Sequence, residues 1–216
     1  MIPWLDPDKP PYFPNTSQVM EEPRGLLAAG GKLSVEWLLV AYRQGIFPWF
    51  SENEPILWWS PAPRTVLLPE NFHASRSLEK LSRQNRYRMT RNQAFAPVIQ
   101  QCAAARDDHP GTWIGEEMIE AYISMHASGF AESVECWDAD NRLVGGLYGI
   151  SLGRVFFGES MFSTAANTSK LCLKYLVDSD DYAMIDCQLP TEHLASLGAI
   201  EINREDFETI LDEYTV

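Results

Sequence analysis

Four prolines, Pro48, Pro55, Pro61 and Pro63, interrupt the run GIFPWFSENEPILWWSPAPR from Gly45 to Arg64, and this segment constrains the fold more than any other. Proline locks φ and removes a backbone donor, so neither a continuous helix nor an interior strand can pass through it. Between the prolines stand Phe47, Trp49, Phe50, Trp58 and Trp59. Flat side chains on a stiff backbone make a wall that suits stacking on a base or an aromatic ring at little entropic cost. The same wall would equally serve as a packed seam between two modules, and both readings stand at this point.

The rest of the chain is globular in composition. A length of 216 residues with 45% hydrophobic content supports one domain or two small ones. No charged head followed by an apolar block opens the sequence, and no apolar run reaches the roughly 18 residues a membrane span needs, so an unexported, membrane-free protein is expected. Cys102, Cys136, Cys172 and Cys187 are scattered without a CxxC pair, which fits a reducing cytoplasm. The histidines, His73, His109, His126 and His193, show no HExxH or His/Cys spacing, so no metal is expected.

A net charge of −13 argues against general nucleic-acid binding, since phosphate affinity comes chiefly from displacing counterions with Lys and Arg. The charge is uneven, however. Arg76, Lys80, Arg83, Arg86, Arg88 and Arg91 concentrate six of the 17 basic residues in one strip with a single acid, Glu79. Screening limits exposed charge to about 8 Å at physiological salt, so such a strip can hold an RNA backbone on an acidic body, or simply form a solvated helix face.

The pattern predicts an α+β chain in two parts, a small module over residues 1–63 and a larger domain over 64–216, divided at Pro61 and Pro63. Residues 1–23 read as a wrapped arm anchored by Trp4, Tyr12 and Phe13. Ser34 caps a helix whose apolar face is Trp37, Leu38, Ala41 and Tyr42 and which Gly45 stops. A strand follows from Thr65 to Leu68, then helices over 94–106 and 116–126. An antiparallel meander is expected over 131–137, 143–151 and 154–157, followed by a helix over 167–177 and a strand over 183–189. Thr191 and Asn203 cap two last helices.

Within the 183–189 strand, alternation puts Asp186 and Gln188 on one face and turns Cys187 with Ile185 and Leu189 toward the core. A polar pair on an otherwise apolar strand needs partners, water or a ligand. Gly158-Glu159-Ser160-Met161-Phe162 lacks the second glycine of a G-x-S-x-G elbow, which disfavours a serine hydrolase. If its strand continues, Glu159 shares a face with Phe157 and Met161, beside an apolar wall, unless it merely pairs with Arg154 or a backbone amide.

The aromatic run, EPRGLLAAGGKLS from Glu22 to Ser34, GESMF and IDCQ together resemble the bacterial leucyl/phenylalanyl-tRNA–protein transferase family, from about Glu22 to Phe207. The resemblance implies transfer of Leu, Phe or Met from aminoacyl-tRNA to the α-amine of proteins beginning with Arg or Lys. It implies a peptide bond that serves as a degradation signal, no cofactor, and a second domain of the Gcn5-related acetyltransferase (GNAT) type with a mixed, largely antiparallel sheet. It further implies that Gln188 accepts a hydrogen bond from the amine, that Asp186 takes part in a proton relay, and that Glu159 belongs to the acceptor site. Trp49 and Trp113 would meet the tRNA 3′ end, and Leu147, Phe156, Met161, Leu176 and Ile185 would line the aminoacyl side-chain pocket, although each of these five is equally what a core contains. The family's Arg and acid after GESMFS are missing here, where Ser163 to Lys170 reads STAANTSK. Two alternatives remain: a coenzyme A-dependent acetyltransferase, for which Leu147 stands where the R/Q-x-x-G-x-G/A loop requires Gly or Ala, and a non-catalytic binder of basic protein N-termini.

Overall fold

Within the 45–64 run Pro48 falls in an edge strand, as its missing N–H requires, but Leu57–Trp59, between Pro55 and Pro61, forms an interior strand, so the expectation that no interior strand lies in this run is corrected. In the computed structural model, which describes residues 2–51, 53–104 and 114–215, the N-terminal part is a four-stranded sheet. Strand β1 (Trp4–Leu5) runs parallel to β2 (Leu26–Gly30), and β4 (Leu57–Trp59) lies antiparallel between β2 and β3 (Phe47–Pro48). Helix α1 (Val35–Arg43) starts where Ser34 Oγ accepts the Trp37 N–H at 3.4 Å and buries Trp37, Leu38, Ala41 and Tyr42, as expected. Its stop is Gly45 at φ +69°, where a Cβ would lie 2.5 Å from the Phe207 ring.

Strand β2 was not anticipated, because all five of its residues are buried and no alternation marks it. The arm also anchors differently from the expectation. Trp4 is 63% and Tyr12 45% exposed, whereas Leu5 is buried and Phe13 sits edge-on to Trp37 and Trp58 at 5.7 and 4.9 Å. A short strand leaves Trp4 pointing outward while its neighbour Leu5 points in.

The remaining chain builds a seven-stranded mixed sheet. In chain order its elements are β5 (Arg64–Leu67), α2 (Arg76–Arg83), β6 (Arg88–Arg91), α3 (Phe95–Ala104), α4 (Glu116–Ala127), β7 (Ala131–Trp137), β8 (Leu143–Leu152), β9 (Val155–Ser163), α5 (Thr168–Asp178), β10 (Met184–Gln188), α6 (Glu192–Ser196), β11 (Ile200–Ile202) and α7 (Arg204–Tyr214). Their order is β11-β5-β10-β9-β8-β7-β6, and every neighbouring pair is antiparallel except β9 with β10. The α+β class therefore holds. Helix α3 tolerates Pro97 because it falls in the first turn, whose N–H groups lack intrahelical partners anyway. Buried Glu135 accepts the Gln93 and Ala94 N–H groups at 3.4 and 3.2 Å and so caps that turn from the sheet.

Several elements exceed the sequence expectation. The basic strip forms α2 and then β6, and β9 continues to Ser163 rather than ending at residue 157. One apolar cluster joins both sheets, with Leu27, Trp37 and Trp58 against Val66, Phe157 and Phe207. On the other face Leu67, Val134, Phe156 and Ile185 pack against α2 and α5. No described helix is long and apolar enough to cross a membrane. All four cysteines are free thiols.

Candidate active site

The one parallel pair of the seven-stranded sheet positions the site. Strands β9 and β10 stay in register through Met184–Val155, Ile185–Phe156 and Asp186–Phe157, and there the pairing ends. Each strand carries an irregularity just beyond or at that end. The β8–β9 register shifts between Tyr148 and Gly149, whose partners are Ser160 and Gly158, so Glu159 is the extra residue. On the other side the β10–β5 register shifts between Asp186 and Gln188, leaving Cys187 extra. Bulges of this kind bend a strand and re-aim side chains. Between the diverging strands opens a cavity of about 490 Å³, within the range of small-molecule sites.

Its apolar lining comes from Leu147, Phe156, Met161 and Ile185 together with Leu173 of α5, all in or against one apolar cluster. Four of the five expected pocket positions thus meet there. Leu176 is buried in the core and does not line the cavity; Leu173, one turn earlier on the same helix, takes its place. Phe47 and Pro48 of the N-terminal sheet and Trp49 just after them also line the cavity. Trp49 is 42% exposed and stands edge-on to Trp59 at 5.4 Å, whose indole N–H donates to the Trp49 carbonyl at 2.6 Å. Trp58, by contrast, is core. Trp113 lies outside the described residues.

Glu159 faces the cavity from its bulge and is gripped from behind. The Tyr42 hydroxyl of α1 lies 2.7 Å from Oε1, the Tyr122 hydroxyl of α4 lies 3.0 Å from Oε2, and the two phenol oxygens also meet, so the two hydroxyl protons are shared over these three contacts. Burial pushes the carboxyl up to about 7; the two phenol hydrogen bonds oppose that rise, the charge of Asp186 adds to it and Arg64 lowers it. Both phenols are in turn held well above their ordinary range, first by burial and then by the nearby carboxylate. Glu159 does not pair with Arg154. From the sequence Tyr42 reads only as a core position; the available signal was that a buried tyrosine on an apolar stripe needs a partner for its hydroxyl.

Alternation fails at the end of β10. Gln188 has φ +58°, in the left-handed region, and lines the cavity with Ile185, Cys187 and Leu189. Asp186 does not line it. Its side chain is fully buried in a two-pronged ion pair with Arg64 at 2.8 and 2.7 Å. The expectation that Asp186 and Gln188 project together from one face is therefore corrected, and so is the placement of Leu189 toward the core, since it is 46% exposed; Cys187 packs with Ile185 against the core cluster, as expected. The bulge is the physical reason, since one inserted residue reverses the face of everything after it. Burial holds the Cys187 thiol up at about 12, which leaves it a poor nucleophile at neutral pH.

The basic strip lies apart from the cavity's lining. Arg76, Lys80, Arg83, Arg86 and Arg88 are exposed, with Arg83 touching Glu79 at 3.4 Å and Arg88 stacked over Trp137 at 5.2 Å. Arg91 leaves the strip: its guanidinium is committed to Glu132, Asp181 and the Tyr182 hydroxyl. The Arg142–Leu147 segment enters strand β8 rather than a helix, so it offers no helix N-terminus for a pyrophosphate. Gly145 and Gly146 serve packing instead, since a Cβ would meet Thr168 at 2.5 Å and Phe162 at 2.8 Å respectively. No group of three or more metal-ligating side chains occurs among the described residues.

The diverging strands thus enclose a cleft lined both by apolar side chains and by the Gln188 carboxamide and the Glu159 carboxylate, each on a bulged strand. Comparison with known proteins makes the assignment specific. Residues 66–212 match the family model described as leucyl/phenylalanyl-tRNA protein transferase, and residues 31–62 match the model of its N-terminal domain. The leucyl/phenylalanyl-tRNA–protein transferase of Azoarcus sp. (strain BH72) is 53% identical over 100% of this chain and 92% of its own length. Those of Cellvibrio japonicus (strain Ueda107), 52% identical over 100% and 92%, and Pseudomonas fluorescens (strain Pf0-1), 54% over 98% and 94%, agree. The chain belongs to the leucyl/phenylalanyl-tRNA–protein transferase family.

Proposed function

We propose that this protein transfers Leu, Phe or Met from aminoacyl-tRNA to the α-amine of proteins beginning with Arg or Lys, in the cytoplasm and without a cofactor. The observation that carries the reading is the cavity's mixed lining: Leu147, Phe156, Met161, Leu173 and Ile185 in one cavity with Gln188, Glu159 and Trp49. The apolar part takes the unbranched or γ-branched donor side chain, and Trp49 offers a face to the terminal adenosine. In the reaction the amine nitrogen bonds to the ester carbonyl carbon, the bond to the ribose oxygen breaks, and that oxygen leaves with a proton.

An aminoacyl ester is already activated, and an α-amine has an ordinary pKa of about 7.7–8.0, so a neutral fraction exists near pH 7. Orientation and hydrogen bonding are then the main demands. The Gln188 carbonyl accepts from the amine. Glu159, partly ionised near neutrality, attracts the cationic first residue of the acceptor, a gross attraction of about 4 kcal/mol at about 4 Å and an effective dielectric near 20, before desolvation. Arg76, Lys80, Arg83, Arg86 and Arg88 hold the tRNA backbone. We further infer that residues 64–216 form a GNAT-type domain, with residues 1–63 as a separate module that supplies Phe47, Pro48 and Trp49 to the cavity. The parallel β9–β10 pair within an otherwise antiparallel sheet supports that reading.

The test is to incubate the protein with radiolabelled leucyl-tRNA and peptides beginning with Arg or with Ala. Label appearing in the Arg peptide alone is expected. Label in neither peptide would refute the reading, and a thermal shift with acetyl-CoA but none with aminoacyl-tRNA would favour the acetyltransferase.

A further inference from the structure

Arg64 opens strand β5 and is only 1% exposed, so its guanidinium needs a buried anion and flat apolar cover. It has both. Nε donates to Asp186 Oδ1 at 2.8 Å and Nη2 to Oδ2 at 2.7 Å, while the rings of Phe47 and Phe207 lie 4.8 and 4.7 Å from the guanidinium carbon. Asp186 Oδ1 accepts a second hydrogen bond, from the backbone N–H of Gln188 at 3.0 Å. That N–H belongs to the residue at φ +58°, in the bulge that turns Gln188 into the cavity.

We propose that Arg64 is a positioning residue for aminoacyl transfer: it clamps Asp186, and Asp186 clamps the left-handed bulge that aims the Gln188 carboxamide at the amine. The proposal rests on the transfer reading above. A left-handed backbone is unfavourable for a residue with a Cβ and persists only where its surroundings overdetermine it. Here the surroundings are a carboxylate that is itself immobilised by two parallel charge-assisted bonds. Released from that clamp, Gln188 relaxes toward the extended region, and losing the inserted residue would carry its side chain to the opposite face. Asp186 in this account never touches substrate. Oδ1 already accepts two donors, Oδ2 faces Arg64, and the carboxylate does not line the cavity. Its influence passes through the main chain of Gln188, not through a proton. The clamp also ties three distant segments together, since Phe47 comes from the N-terminal sheet, Arg64 from β5 and Phe207 from α7.

The labelled leucyl-transfer assay distinguishes a clamp from a relay when kcat, both KM values and the pH profile are measured with melting curves. Arg64→Lys keeps the charge but not the fork, and kcat is expected to fall about tenfold with both KM values within about twofold. Asp186→Ala should lose at least about a hundredfold in kcat. The double variant Arg64→Gln/Asp186→Asn replaces the ion pair with a neutral amide pair able to hold the same N–H, and it should retain turnover within about tenfold with an unshifted pH profile. A folded double variant as inactive as Asp186→Ala, or one that loses a limb of the pH profile, makes Asp186 a proton carrier and overturns the proposal. An unchanged kcat in Arg64→Lys overturns it equally, and that variant decides the matter if the others do not fold. Failure of the wild-type protein to transfer label counts instead against the transfer reading.

Discussion

Replacing Glu159 by Gln should make the protein more stable at alkaline pH and leave it unchanged at acidic pH. Burial raises this carboxyl from 4.5 to about 7, so between those values the folded state binds a proton that the unfolded state has released. Stability from this group is therefore fully present below about pH 4.5 and is lost as pH rises through about 7. Each pH unit is worth about 1.4 kcal/mol, which puts the limiting cost of the ionised carboxylate at about 3 kcal/mol. The side chain borders an open cavity whose water screens it, so about half that, 1–2 kcal/mol, is the working figure. For a chain of this size a kcal/mol moves the melting temperature by about 2–4 °C, and Glu159→Gln should melt roughly 3–6 °C above wild type near pH 8 and level with it near pH 4.5. Melting both proteins by fluorimetry across that range is the assay. Asp138 and Asp181, whose carboxyls are held low, by the Arg142 backbone N–H and by the Arg91 side chain in turn, contribute the opposite slope, but equally in both proteins. Parallel curves, with a constant offset or none, would show that Glu159 does not titrate with folding and would remove the carboxylate's tuned ionisation from the account.

Other outcomes follow from the same geometry. Tyr42→Phe and Tyr122→Phe each delete one hydrogen bond that lowers the Glu159 carboxyl, so the acidic limb of acceptor KM should move to higher pH at a stability cost of about 1 kcal/mol; an unmoved limb would show that the phenols do not tune it. Reversing Arg83 and Arg86 to Glu should weaken aminoacyl-tRNA binding and flatten its dependence on log salt, and an identical slope would reduce the strip to surface. Leu147→Trp should fill the apolar part of the cavity and abolish transfer of phenylalanine before that of smaller donors, which competition between charged tRNAs would read; equal loss for all donors would argue against a side-chain slot.

Much of the architecture was legible because it rests on local chemistry. Ser34, Thr191 and Asn203 accept the N–H groups of helix starts just where their type predicts, and turn residues at 138–141 and 152–153 delimit the meander. Strand β2 escaped because a strand buried on both faces has no period to read, and α2 and β6 escaped because charge hid their apolar positions. Trp4 and Tyr12 were misread for a simpler reason. Aromatic size suggests an anchor, but burial depends on which way a two-residue strand faces.

The candidate site divides along the same line. The linear chain determined which groups were available: a carboxamide and a carboxylate near the end of one strand, an acid in a neighbouring apolar strand, and a proline-stiffened aromatic segment. Which of them line the cavity was decided only in three dimensions. Alternation assumes an unbroken register, and two single-residue insertions, at Glu159 and Cys187, cancel it. Those insertions bring Glu159 to two phenols from distant helices and turn Gln188 into the cavity, while Asp186, still in register, is buried against Arg64, 122 residues earlier. No local rule encodes such pairings, because a buried charge selects its partner by where the packed chain offers one.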